Sequence, residues 1–141
     1  MFELENPKEF AFAGNAIITL ESENTKNHFT YRIRRSKNDE YLYFIDHLHG
    51  PDNINDYSYI GCYYLDRRIF VTRKNWKTIP VNYWPPSVRA MDFFLEHLDK
   101  IPPKLHVYHE GRCGRCGRRL TTPESIKRGL GPECCKLGER L

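Results

Sequence analysis

HFTYRIRR, residues 28–35, alternates apolar and polar side chains along its whole length. Phe29, Tyr31 and Ile33 fall on one side of an extended chain, and Thr30, Arg32 and Arg34 on the other. That is the pattern of a strand with one face in a core and one in water. The same reading extends in both directions. Residues 10–35 read as strands separated by a turn: AFAGNAIITLES breaks at Gly14 and Asn15 before a β-branched apolar run, and SENTKN is polar. After the quoted stretch, SKNDE is a turn, YLYFIDHL a further strand, and HGPDNINDYS a structured loop. YIGCYY and IFVTRK follow, joined by the turn-like LDRR. Several short strands in succession predict an antiparallel sheet with one covered face.

The cover is predicted in SVRAMDFFLEHLDK, residues 87–100. Val88, Met91, Leu95 and Leu98 recur at helical spacing with Phe94 beside them, while Arg89, Asp92, Glu96 and Asp99 form the exposed face. Ser87 is the expected cap, and Pro102 and Pro103 stop the helix. KLHVYH then runs extended into the cysteines. The expected fold is α+β: an N-terminal antiparallel sheet or partly open barrel with one covering helix near residues 87–99, then a small treble-clef-like or zinc-ribbon-like module. The expected division is 1–105 for the β-rich domain and 106–141 for a zinc-binding module packed on it.

Four of the five cysteines lie in residues 113–135. The amino terminus MFELENPKEF has neither the basic start nor the apolar stretch of an export signal, and the chain has no run of 18 apolar residues. These features predict a cytoplasmic protein with no membrane partner, and in a reducing compartment clustered cysteines point to a metal rather than to disulfides. Cys113 and Cys116 form a Cys-x-x-Cys unit, and Cys134 returns 18 positions later, spacing suited to one structural Zn²⁺. For the fourth ligand the residues leave His109 and Cys135 open, with His106 a poorer third. In a helix beginning at Pro132, Cys134 and Cys135 would point about 100° apart, which favours His109. Between the ligand pairs, TTPESIKRG predicts a short helix capped by Thr122, started by Pro123, facing inward at Ile126 and ended by Gly129.

Residues 109–137, with HEGRCGRCGRRLTTPESIKRGLGPEC, resemble an uncharacterised zinc-module family found at the ends of phage, plasmid and bacterial mobile-element proteins. The resemblance rests on the Cys-Gly-Arg-Cys-Gly-Arg core, Leu120, Thr121, the Pro-Glu-Ser-Ile run, Gly129, Gly131, Pro132 and Cys134. AGNAIITLES, HFTYRI and GPDNINDYSYIG resemble the piece that precedes the module in such proteins. The resemblance supports His109 as the fourth ligand and implies a small protein of the bacterial host cytoplasm, without an established activity.

The charge is confined. Residues 1–105 carry 14 Lys/Arg against 14 Asp/Glu and residues 106–141 carry 8 against 4, so the whole +4 belongs to the module. Arg112, Arg115, Arg118, Arg119, Lys127 and Arg128 are the expected nucleic-acid-binding residues, for DNA or RNA. Tyr57, Tyr59, Tyr63 and Tyr64, near Arg67 and Arg68, offer a further contact surface on the sheet. The alternative is a host protein as partner, a defence enzyme among them. Catalysis is the third class: Asp46, His47, His49, Asp52 and Asp56 bracket the GPDN loop, but Asp46 and His47 belong near a strand end, turn chemistry accounts for Asp52 with Asn53, and no nucleophile motif or phosphate loop accompanies them.

Overall fold

The computed structural model describes residues 1–134. The chain opens with β1 (Phe2–Glu3) and α1 (Pro7–Ala11), then runs through β2 (Asn15–Ser22), β3 (His28–Arg35), β4 (Leu42–Leu48), β5 (Tyr57–Tyr64) and β6 (Ile69–Thr72). A short α2 (Lys74–Lys77) and a single 3₁₀ turn at Val81–Tyr83 lead to α3 (Pro86–Glu96), and β7 (Leu105–His109) and α4 (Pro123–Arg128) complete the order. All strand pairs are antiparallel, in the order β1-β7-β2-β3-β4-β5-β6. The architecture is therefore an N-terminal antiparallel sheet with a covering helix, followed by a helical module that carries the cysteines. No helix among the described residues is long and apolar enough to cross a membrane.

The alternation in β3 decides which face is covered. Tyr31 and Ile33 are fully buried, with Ala16, Ile18 and Leu20 of β2 and Tyr43 and Ile45 of β4 on the same side. α3 lays Val88, Met91, Phe94 and Leu95 on this layer, and Leu98 beyond its end joins the same core. The Tyr31 hydroxyl donates to the Ser87 carbonyl at 2.6 Å and fixes the start of α3. The expected cap at Ser87 is not formed: Pro85 holds the N-cap position and Ser87 lies buried inside the first turn. Pro85 and Pro86 have no N–H, so the helix start has fewer donors to satisfy. The helix also stops earlier than its apolar spacing suggests, at Glu96, where the His97 imidazole bonds the Phe93 carbonyl at 2.7 Å.

Residues 7–11 are helical, whereas the apolar pattern beginning at Phe10 predicts strand. Asn6 accepts from the Glu9 N–H at 3.1 Å, and Pro7 takes the first helical position, so local capping overrides a weak β signal. α1 then delivers Phe10 and Ala11 to the core.

On the open face, Asp46 of β4 is 3% exposed and gathers two arginines from β3. Arg32 donates through Nε at 3.1 Å and Nη2 at 3.0 Å, and Arg34 through Nη2 at 3.0 Å, all to Oδ2. These cations thus stand on the water side of the strand and are held by an acid there.

β5 contains the one irregularity that changes a side-chain assignment. Ile45 pairs with Gly61 but Asp46 pairs with Tyr59, which leaves Ile60 as the extra residue of a bulge. Tyr57 and Tyr59 consequently stay on the open face, while Tyr63 enters the core at 1% exposure. The stacking role expected of Tyr63 is corrected by this register shift. Gly61 allows the strands to close: a Cβ there would stand 2.5 Å from the Val71 carbonyl oxygen and 3.0 Å from the Thr72 Cα. Gly61→Ala is expected to destabilise the fold by about 1–3 kcal/mol in urea denaturation, because the nearest obstructing atom is a backbone carbonyl oxygen.

Candidate metal centre

The module begins where β7 ends. β7 lies between β1 and β2, so the strand that leads to the cysteines is itself part of the sheet. Gly111 and Leu120 then close a small loop through the bond from the Leu120 N–H to the Gly111 carbonyl at 2.8 Å, and Arg112 and Arg119 bridge within it. At its tip the Cys113 N–H donates to the Arg118 carbonyl at 2.8 Å and the Gly117 N–H to the Cys113 carbonyl at 2.9 Å. Gly117 takes φ 77° to complete this turn, a conformation glycine adopts without strain.

α4 forms as its local sequence dictates. Thr122 accepts the Ser125 N–H at 3.2 Å, Pro123 starts the helix, and Gly129 ends it at φ 82° with its N–H on the Ser125 carbonyl at 2.7 Å. Ile126 packs against the small cluster of Cys113, Leu120 and Leu130, the inward position expected of it. Residues 132–134 are helical, and the remainder of the helix expected from Pro132 lies outside the described residues.

Cys113, Cys116 and Cys134 converge, with their sulfur atoms all within 4.8 Å of one another. Zinc bound at about 2.3 Å in a tetrahedral set holds its sulfurs roughly 3.8 Å apart, so three thiols at this separation fit one ion. Cys113 is buried and accepts N–H donors from Arg115 and Gly131, each at 3.4 Å. Burial pushes its thiol up, but the backbone donors of Cys116, Gly131 and Arg115 outweigh that and bring it down to about 7. Burial and the adjoining Cys113 and Cys116 push Cys134 up to about 12. Cys113 is thus biased toward the thiolate and Cys134, beside it, against a second negative charge, a conflict that a bound cation would relieve.

His109 is not among the converging groups. Its Nε2 donates to the Ile126 carbonyl at 2.6 Å and its Nδ1 accepts the Gly111 N–H at 3.0 Å. Both ring nitrogens are therefore in use within the protein. The imidazole is 1% exposed, with Phe2 and Phe10 at centroid distances of 5.6 and 5.3 Å, and burial holds its pKa below the usual range. His106 stands on the opposite side of β7, bonded to Glu3 at 2.9 Å. Cys135 lies outside the described residues.

The basic residues divide into two groups. Arg112, Arg118, Arg119 and Lys127 are exposed and Arg115 is half-buried. None of these five makes an ion pair among the described residues. Arg128 instead clasps Glu9 of α1 through Nε at 2.6 Å and Nη2 at 3.1 Å, joining the module to the first helix. Arg118 and Arg119 line a cavity of about 450 Å³ that also exposes Cys116 and Cys134. On the sheet, Tyr59 is exposed, Tyr57 lies under Arg32 at 4.4 Å, Arg67 covers Tyr64 at 4.2 Å, and Arg68 donates to Asp99 at 3.3 Å.

The acids and histidines around the GPDN loop do not form a common site. Asp46 and His47 are consecutive in β4 and so face opposite sides, Asp46 toward the arginines and His47 against Phe29 and Tyr31. Asp52 accepts the N–H groups of Ile54 and Asn55, and Asp56 accepts that of Asp52, so both hold the loop.

Residues 103–137 match a family of unknown function, DUF6011. The matched segment contains the three converging cysteines, α4 and His109. No curated protein and no solved structure matches the chain.

His109 ties β7 to α4 and is packed between Phe2 and Phe10. His109→Ala is expected to cost about 2–5 kcal/mol in urea denaturation, from a cavity between Phe2 and Phe10 and two unpaired backbone groups. Folded variant should still take up one metal ion per chain by atomic absorption. Loss of metal from a folded variant would instead make His109 a ligand.

Proposed function

We propose that the chain is a non-enzymatic zinc protein that binds nucleic acid through the basic surface around its cysteine centre. The observation that carries this reading is the set Arg112, Arg115, Arg118, Arg119 and Lys127, gathered on one small module without an acid partner among the described residues. Cations without an ion pair among the described residues suit phosphate contacts, which position a nucleic acid without reading its sequence. Arg128 is excluded from this set by its clasp on Glu9.

Zinc supplies a cross-link here and no chemistry. Cys113, Cys116 and Cys134 are its proposed ligands; His109 has both ring nitrogens already bonded, which leaves Cys135 as the other candidate the sequence offers for a fourth ligand. The division at residues 105 and 106 belongs to the same proposal: β7 stays in the sheet, and residues 111–134 are the part whose order depends on the ion. Removing zinc with a chelator is expected to abolish hydrogen-exchange protection across residues 111–134 while β2 to β5 keep theirs. Simultaneous loss in both would show one indivisible core. Cobalt-substituted protein should lose thiolate charge-transfer intensity in Cys135→Ser and keep it in His109→Gln.

The resemblance of residues 109–137 to modules of phage and mobile-element proteins extends this reading to a mobile-element product acting in a bacterial cytoplasm. A host protein as partner is the second reading, favoured by the open sheet face, where Tyr59 and Ile69 are exposed and Asp46 offsets the Arg32 and Arg34 charges.

Fluorescence anisotropy with labelled single-stranded DNA, single-stranded RNA and duplex DNA separates the two. Nucleic-acid binding should weaken steeply with salt, and each cation among Arg112, Arg118, Arg119 and Lys127 changed to Ala should flatten the slope of log K against log salt by about 0.7–0.9. Absence of salt-dependent binding to all three probes would remove the nucleic-acid reading.

A further inference from the structure

A second cavity, of about 360 Å³, opens on the helix-covered side of the sheet, between the β2–β3 hairpin, α3 and the start of β7. The cysteine module follows the other end of β7, so the two sites are separate. Its walls are largely apolar, with Leu20 of β2, Phe29 of β3, Phe93 of α3 and Leu105 of β7. Leu20 is buried, whereas the other three are half-buried and keep part of their surface in water. α3 turns Arg89, Ala90 and Phe93 to this side together, because residues three and four apart share a helix face.

Two cations line the cavity, Arg89 of α3 and Lys104 just before β7, and no acid lines it among the described residues. Both are exposed, and neither forms an ion pair among the described residues. The acids of α3, Asp92 and Glu96, line a different hollow against β6, and Glu23 of the hairpin turns to His106. Every other arginine before the module is engaged. Asp46 holds Arg32 and Arg34, the Phe12 carbonyl holds Arg35 and Asp99 holds Arg68, while Arg67 and Arg73 cover the Tyr64 and Trp76 rings. Among the described residues Arg89 alone of these has no acid, acceptor or ring for its guanidinium. Charge without a partner beside an apolar hollow is the complement of an amphipathic anion.

We propose that this cavity binds a medium-chain carboxylate, its hydrocarbon tail on Leu20, Phe29, Phe93 and Leu105 and its ionised head held by Arg89 and Lys104. A volume at the small end of ligand sites suits one such molecule rather than a segment of another protein. A body rich in polar groups, such as a nucleoside, fits less well. The hairpin hydroxyls serve their own turn, Ser22 accepting the Thr25 N–H at 3.4 Å and Thr25 the Asn27 N–H at 3.3 Å, and the remaining walls offer such a body little to bond.

The test titrates sodium octanoate into the full chain at constant ionic strength, followed by calorimetry and amide chemical shifts, with octan-1-ol, n-octylammonium and acetate in parallel. Saturable octanoate binding is expected, about tenfold or more tighter than that of octan-1-ol or acetate, with n-octylammonium the weakest of the octyl compounds. Shifts should be confined to residues 20–29, 86–93 and 104–105. Arg89→Ala should weaken octanoate by about tenfold without moving the melting temperature, since the side chain is exposed and unpaired. Ala90→Leu should abolish binding by filling the cavity from the helix while both cations stay in place, and leucine keeps a good helix former there. Equal affinity for octanoate and octan-1-ol, equal affinity for octanoate and acetate, or octanoate affinity unchanged in both variants overturns the proposal.

Discussion

The buried imidazole of His109 is where the sheet and the cysteine module become one structure. It belongs to β7, which is held on both sides by β1 and β2, and its Nε2 reaches across to the Ile126 carbonyl of α4. The ring sits between Phe2 and Phe10, so the amino-terminal residues wrap the same contact. Around it the chain adds backbone bonds from Asn15 to Gly114 at 2.7 Å and from Gly114 to Gly129 at 2.9 Å. Gly114 and Gly129 both stand against the Phe10 ring, where a Cβ would collide, so these two glycines allow the module to approach α1. The Arg128–Glu9 clasp closes the joint at its edge.

This joint gives the cysteine centre a rigid support on one side only. Cys113 is buried against Leu120 and Leu130, but Cys116 is exposed and Cys134 is half-buried. The apolar cluster beneath the three sulfurs is small, and hydrophobic burial of that size orders little chain. Three thiols converging over so small a core are the arrangement for which an ion would supply the order that packing does not. Arg112, Arg118, Arg119 and Lys127 are exposed on this same module.

Much of the sheet was legible because alternation is a local property. β3 and β4 were readable from their own residues, as was the covering helix from the spacing of Val88, Met91 and Leu95, and α4 from Thr122, Pro123 and Gly129. α1 was missed although Asn6, Pro7 and Glu9 carry a readable start signal; a five-residue helix has too little periodicity to reinforce it. β1 has only two residues, and its Phe2 pairs with His109 of β7 far along the chain, which no local pattern can reveal. The bulge at Ile60 reversed the face of Tyr63 for a similar reason. A single extra residue shifts the alternation, and the partner strand decides where it goes.

For the centre, the spacing of Cys113, Cys116 and Cys134 by itself determined that three sulfurs could meet, because a short loop and a capped helix constrain the chain between them. It also determined the chemistry, since ligand type is written in the residues. Only the tertiary structure decided what His109 does. A histidine four residues before a cysteine pair has the same sequence signature whether its nitrogens face an ion or a backbone carbonyl. The contacts the ring makes come from Phe2, Phe10 and Ile126, which are remote in the chain and meet it only in the folded sheet and module.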